Sequence, residues 1–152
     1  MQKRDLVSAK RIAFQLLKFR NRSRQEIRDR LKKKCFPEEV IIQTIDFLEQ
    51  LKYLDDSEFA LSWSQARLAK PLGLRRIFFE LGQKGIDKQI IDKTLQKLKQ
   101  GYHESEIVEK IVKEKIKRMK SLDEYKAKNR IYGYLIRRGF NPDTIKEVIE
   151  NL

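Results

Sequence analysis

The chain has 152 residues, enough for one ordinary domain or a short series of small units, and 40% of them are hydrophobic. Charged residues make up 38%, well above the roughly 25% of a typical soluble domain, so the surplus must lie on solvated faces and the core is expected to be thin and spread out. The lone cysteine, Cys35, excludes an intramolecular disulfide, and no apolar run approaches the ~18 residues that span a bilayer.

Apolar residues recur at helical spacing throughout and period-two alternation is nowhere sustained, so the chain is expected to be all-α. Ala9, Ile12, Ala13, Leu16 and Leu17 line one face of a first helix, which ends at the polar Asn21-Arg22 turn. Ser23, with Glu26 three residues later, forms a capping box that opens a second helix bearing Ile27 and Leu31. Pro37 fits the first position of a third helix, where its missing N–H costs nothing, and Val40, Ile41, Ile45 and Leu48 form that helix's stripe.

The pattern then restarts. Asp55-Asp56-Ser57-Glu58 reads as a helix start, followed by Phe59, Ala60, Trp63, Ala66 and Arg67 on a fourth helix, with Trp63 assigned to the core. Pro71 and Gly73 break the chain before a fifth helix over 74–84, and Asp87 caps a sixth with Ile90, Ile91, Leu95 and Leu98. After Gly101 a seventh helix runs from about Glu104 to Met119, with Ile107, Ile111, Val112, Ile116 and Met119 at its apolar positions. Ser121 to Glu124 opens an eighth, and Asn141 with Pro142 starts a ninth.

Three segments of this series align when shifted by 50 and then 54 positions. Ile27, Ile77 and Ile131 coincide, as do Leu31, Leu81 and Leu135. Lys34, Lys84 and Arg138 follow, then Cys35, Gly85 and Gly139, then Phe36, Ile86 and Phe140. Ile41, Ile91 and Ile145 close the register with Leu48, Leu98 and Leu152. Three tandem three-helix repeats are expected, over residues 1–54, 55–101 and 102–152, forming an elongated, curved array in which each has a small core of its own. Gly85 and Gly139 fall where a helix ends and φ turns positive. Cys35 in the same slot implies either strain or a different turn.

Between residues 9 and 152 the sequence resembles the RecX family of bacterial recombination regulators. The first stretch is Ala13, Leu16, Leu17, Arg20, Arg22, Ser23, Glu26 and Ile27, and the second is Tyr53-Leu54-Asp55-Asp56 with Phe59-Ala60 and Trp63. The most specific is Gly73-Leu74-Arg75-Arg76-Ile77 with Glu80-Leu81, Lys84-Gly85-Ile86 and Ile90, echoed by Arg130, Leu135, Arg137-Arg138-Gly139-Phe140 and Ile145. Cys35 stands where the family usually has glycine, and Gly82 interrupts the second repeat's helix. The resemblance implies tandem three-helix modules that bind inside the groove of the RecA–DNA filament. It further implies that they block its extension or favour its disassembly, and so damp strand exchange, ATP hydrolysis and coprotease activity in homologous recombination, DNA repair and the SOS response.

No catalytic residue, metal site or cofactor is expected. His103 is the sole histidine, too few for a zinc site or a nucleophile–base pair. Asp55-Asp56 lies where a helix cap belongs, and no Gly-Lys-Ser/Thr cradle accompanies the glycines. Cys35 beside Lys32, Lys33 and Lys34 reads as a small filler at a helix end rather than a redox centre.

Function is expected in the basic residues. The net charge of +13 attracts polyanions, whether nucleic acid, an acidic protein groove or anionic lipid, and residues 1–34 alone hold 13 basic and 3 acidic side chains. Arg20, Arg22, Arg24, Arg28, Lys32, Lys33 and Lys34, with Arg67, Arg75, Arg76, Arg137 and Arg138, are the expected contacts to a RecA filament or to DNA phosphates. The alternative is a stand-alone binder of single- or double-stranded DNA, non-specific because no helix carries a run of Asn, Gln and Arg suited to base edges. A structural adaptor for another acidic protein also fits the charge. Without a signal-peptide pattern or a membrane segment, a cytoplasmic monomer is expected.

Overall fold

A computed structural model describes residues 4–152, so the first positions of the expected first repeat lie outside the described residues. The described residues form nine α-helices and no strand: α1 (Leu6–Phe19), α2 (Arg24–Lys33), α3 (Glu38–Gln50), α4 (Asp56–Leu68), α5 (Leu74–Gln83), α6 (Lys88–Lys99), α7 (Glu104–Arg118), α8 (Glu124–Arg137) and α9 (Pro142–Glu150). No helix among the described residues is long and apolar enough to cross a membrane.

Side-chain caps set four of the helix starts. Asp5 accepts from the Ser8 amide at 2.9 Å ahead of α1. Ser23 and Glu26 complete the capping box of α2, each side chain accepting from the other's backbone amide. The Asp55 carboxylate accepts from the Ser57 and Glu58 amides at the start of α4, and Asn141 accepts from the Asp143 amide ahead of Pro142. Pro37 sits at the cap of α3 rather than at its first helical position, one residue earlier than the sequence pattern places it.

Helices α1, α2 and α3 pack on one another around Ala9, Ala13, Ile27, Leu31, Phe36, Ile41, Ile45, Leu48 and Leu54. Helices α7, α8 and α9 repeat the arrangement around Val108, Val112, Ile131, Leu135, Phe140, Ile145 and Ile149. Each buried Ile or Leu contributes roughly 1.5–3 kcal/mol of burial energy, which offsets part of the entropy cost of ordering these helices. The chain as a whole divides into two compact units. One runs through Trp63 and takes in Leu81–Thr94, and the other joins Ser64–Glu80 to Leu95–Leu152.

The turn after the second helix of each expected repeat is built the same way. The Phe36, Ile86 and Phe140 amides donate to the Leu31, Leu81 and Leu135 carbonyls at 3.1, 3.1 and 3.2 Å. Each turn thus closes a helix C-terminus with one residue in the left-handed region. That residue is Cys35 (φ 65°), Gly85 (φ 75°) or Gly139 (φ 88°). Of the two outcomes expected for Cys35, the strained one holds: the turn is the same and a Cβ is carried in the left-handed region.

The inner face of α4 includes a polar residue that its apolar spacing does not mark. Phe59, Ala60 and Ser64 are buried, whereas Ala66 is exposed. Ser64 lies four residues after Ala60 on one face, and Ala66 falls half a turn beyond it. Trp63, assigned to the core, is half-buried; it stacks on Phe59 with ring centroids 5.9 Å apart, and the Lys84 ammonium lies 4.8 Å from its centroid. Gly82 lies inside α5 without breaking it.

Helix α8 starts earlier than α2 and α5 do in the common register. Ala127 is the counterpart of Ser23 and Gly73, yet it already lies inside a helix, with its amide donating to the Asp123 carbonyl at 2.9 Å.

Candidate partner-binding surface

In the first compact unit the basic residues surround α2. Arg20 makes two hydrogen bonds to the Glu26 carboxylate, Arg22 lies 3.9 Å from the same group, and Lys84 reaches it at 3.5 Å. Burial raises the Glu26 pKa, but the Arg20 hydrogen bond, the Ser23 amide and the charges of Arg20 and Lys84 outweigh it, and the net shift is downward. Arg22 has its own pKa lowered by burial and by neighbouring Arg20. Arg24 pairs with Glu49 at 3.1 Å and Arg28 with Glu38.

These four arginines are therefore already engaged. Lys32, Lys33 and Lys34 follow on the same helix end, are exposed, and have no ion pair among the described residues. They form a run of three adjacent uncommitted charges, beside others in this unit such as Arg11, Lys18 and Arg30. An exposed charge of this kind keeps its hydration until a polyanion arrives, so it contributes to association rather than to folding.

In the second compact unit Arg67 grips Glu80 with two hydrogen bonds of 2.9 and 2.7 Å, and Arg76 reaches the same carboxylate at 3.1 Å. The Glu80 side chain is only 12% exposed, so Arg67 and Arg76 hold structure there. Arg138 donates to the Tyr134 hydroxyl at 3.0 Å. Arg75 and Arg137 are exposed, and Arg75 uses only its backbone, donating to the Gly139 carbonyl at 3.1 Å. Of the residues expected to contact a partner, Lys32, Lys33, Lys34, Arg75 and Arg137 have uncommitted side-chain charge.

The sequence pattern did not reveal the sockets that hold successive three-helix sets together. In the first unit the Ser23 hydroxyl donates to the Lys84 carbonyl at 2.7 Å, and a Cβ added at Gly85 would stand 2.4 Å from the Gln25 side chain. In the second unit the Gly73 amide donates to the Arg138 carbonyl at 2.9 Å, Arg76 Nη1 donates to the Arg137 carbonyl at 3.3 Å, and a Cβ at Gly73 would lie 2.2 Å from the Gly139 oxygen. Both sockets set the carbonyl-bearing end of one helix against the amide-bearing start of another, which satisfies orphan groups and aligns opposite ends of two helix dipoles. The signal was available in the register: Ser23 and Gly73 coincide, as do Lys84-Gly85 and Arg138-Gly139.

Residues 9–48 match the family model for the first three-helix domain of RecX, 55–95 the second and 103–149 the third. The regulatory protein RecX of Prosthecochloris aestuarii is 31% identical, with 100% of this chain matched to 98% of that one. Its counterpart in Chlorobium phaeobacteroides is 34% identical over 93% of this chain and 91% of its own. The crystal structure of RecX from Lactobacillus salivarius superposes with a TM-score of 0.82 over 97% of this chain and 96% of that one, at 24% identity, a likeness of fold. Fold, repeat register and similarity along nearly the whole chain agree, and this protein belongs to the RecX family.

Proposed function

We propose that this protein is a non-enzymatic negative modulator of RecA recombinase that binds in the groove of the RecA–DNA filament and blocks its extension or promotes its disassembly. Membership of a regulatory family supports the role. The observation that carries the binding mode is the unpaired cluster Lys32, Lys33 and Lys34 at the end of α2, joined by Arg75 and Arg137 as further uncommitted charges. Acidic protomer surfaces and DNA phosphates are both suited to such a cluster. In this reading the protein works as a cytoplasmic monomer and inhibits strand exchange, ATP hydrolysis and coprotease activity without a cofactor.

The test is recombinase ATP hydrolysis on single-stranded DNA with this protein added far below the recombinase concentration. Inhibition at that ratio is expected, and K32E/K33E/K34E should weaken it while leaving the helical circular dichroism unchanged. Inhibition only at amounts comparable to the DNA sites would instead support the second reading, a non-specific DNA binder, which the same exposed lysines favour.

A further inference from the structure

The second compact unit holds an open cavity of about 760 Å³ beside α7, walled by the α4–α5 link, the end of α6 and Tyr134 of α8. That volume is in the range of sites that seat a ligand. Its floor is aliphatic, and Leu68, Leu98, Ile107 and Ile111 are each only partly covered. The comparison with Leu48 is informative. Leu48 holds the register position of Leu98 and is wholly buried in the α1–α3 core, whereas Leu98 is left part-open.

The rim has the opposite chemistry. Lys70, Lys110, Lys115 and Arg118 stand around the mouth against a single carboxylate, Glu114. Ile107, Lys110, Ile111, Glu114 and Arg118 recur at three- and four-residue steps, so one stripe of α7 supplies both floor and rim. No ion pair among the described residues neutralises Lys70, Lys110 or Arg118.

We propose that this cavity is a docking site for an acidic segment of a partner protein, with its apolar side chains covering Leu98 and Ile111 and its carboxylates meeting Lys110 and Arg118. Aliphatic surface without charge would suit any apolar chain, and charge without aliphatic surface would suit any polyanion; the pairing selects a segment that has both. A nucleic acid fits less well. Bases bind unspecific sites largely by stacking on free aromatic faces, but the Tyr134 ring already carries the Lys115 ammonium 3.7 Å from its centroid and the Arg138 guanidinium at 5.2 Å. The Tyr102 hydroxyl is turned into protein, since it is buried without a hydrogen-bond partner of good geometry. The proposal does not depend on the filament reading, because it concerns this chain and a peptide alone.

The experiment uses the full chain and a fluorescein-labelled peptide in which leucines alternate with pairs of Asp and Glu, followed by anisotropy. Binding is expected, weakened about tenfold by replacing the peptide leucines with serine and about tenfold by K110E/R118E. The Ile107 and Ile111 methyl resonances should shift on titration, which reports the site even if a variant fails to fold. Equal binding of the serine peptide, equal or tighter binding of an oligothymidine of the same charge, or methyl shifts confined to other isoleucines would each overturn the proposal. Loss of recombinase inhibition without loss of peptide binding would strike the proposed function and leave this site intact.

Discussion

The two sockets occupy the same register and are held by different chemistry. In the first, a side chain bridges the gap: Ser23 donates to the Lys84 carbonyl, and Glu26 draws Lys84 in as its partner. In the second the main chains themselves meet, and the equivalents of Glu26 and Lys84 are Arg76 and Arg138, two like charges. Those arginines do not pair with each other: Arg76 reaches Glu80 and, across the socket, the Arg137 carbonyl, while Arg138 donates to Tyr134. One repeat architecture can thus be fastened by charge at one place and by close backbone approach at another, and the two should fail under different insults.

The largest expected effect is Gly73→Ala. Its Cβ would lie 2.2 Å from a backbone oxygen that cannot swing aside, so a loss of about 3 kcal/mol is expected in denaturant unfolding. A loss below about 1 kcal/mol would mean that the second socket is looser than described.

Next comes Glu26→Gln, which should cost about 2 kcal/mol by weakening charge-assisted hydrogen bonds around a side chain only 17% exposed. Because the folded pKa of Glu26 lies below its ordinary value of 4.5, its contribution is complete above that pH and is lost as pH falls through the folded value. Asp56 acts in the opposite sense. Its pKa is raised by burial despite the Arg24 amide and charge, so the cost of its ionised form is relieved as pH falls. The difference in unfolding free energy between the natural chain and E26Q, followed from neutral to acid pH, isolates Glu26 and should shrink toward acid. A constant difference would remove charge from the account of the first socket.

Ser23→Ala should cost about 1 kcal/mol, through loss of the cap and of the link to Lys84, with no pH dependence of its own in the same unfolding series. Smallest are two gains, both read as a raised melting temperature. Cys35→Gly should add somewhat under about 1 kcal/mol by removing left-handed strain at an exposed turn. Gly82→Ala should add a similar amount, since it lies in α5 and its Cβ would meet nothing. Destabilisation by the first would contradict strain at Cys35, and by the second an open helical position at Gly82.

Much of this was legible in the sequence. Apolar spacing and caps such as Ser23, Asp55 and Asn141 mark the helices, because those signals are local to a turn or two. The inner face of α4 was not legible in full, because a buried serine, Ser64, fills the position an apolar residue would have announced. The candidate site was legible only in part. The arginines are conspicuous in the sequence, yet Arg20, Arg24, Arg28 and Arg67 are paired with carboxylates that lie 6 to 25 positions away, a separation no periodicity reports. Cys35 becomes intelligible once the sockets are seen. Gly85 and Gly139 are crowded by Gln25 and Arg76, whereas the exposed Cys35 turn enters neither socket and has room for a side chain.

The early start of α8 changes what that helix can receive at the socket register. A helix beginning is what offers free amides to an incoming turn, and at Ala127 that offer is withdrawn, since the amide is already spent on Asp123. A further turn brought to this register would meet a spent amide, so a junction of the Gly73 kind cannot form at Ala127.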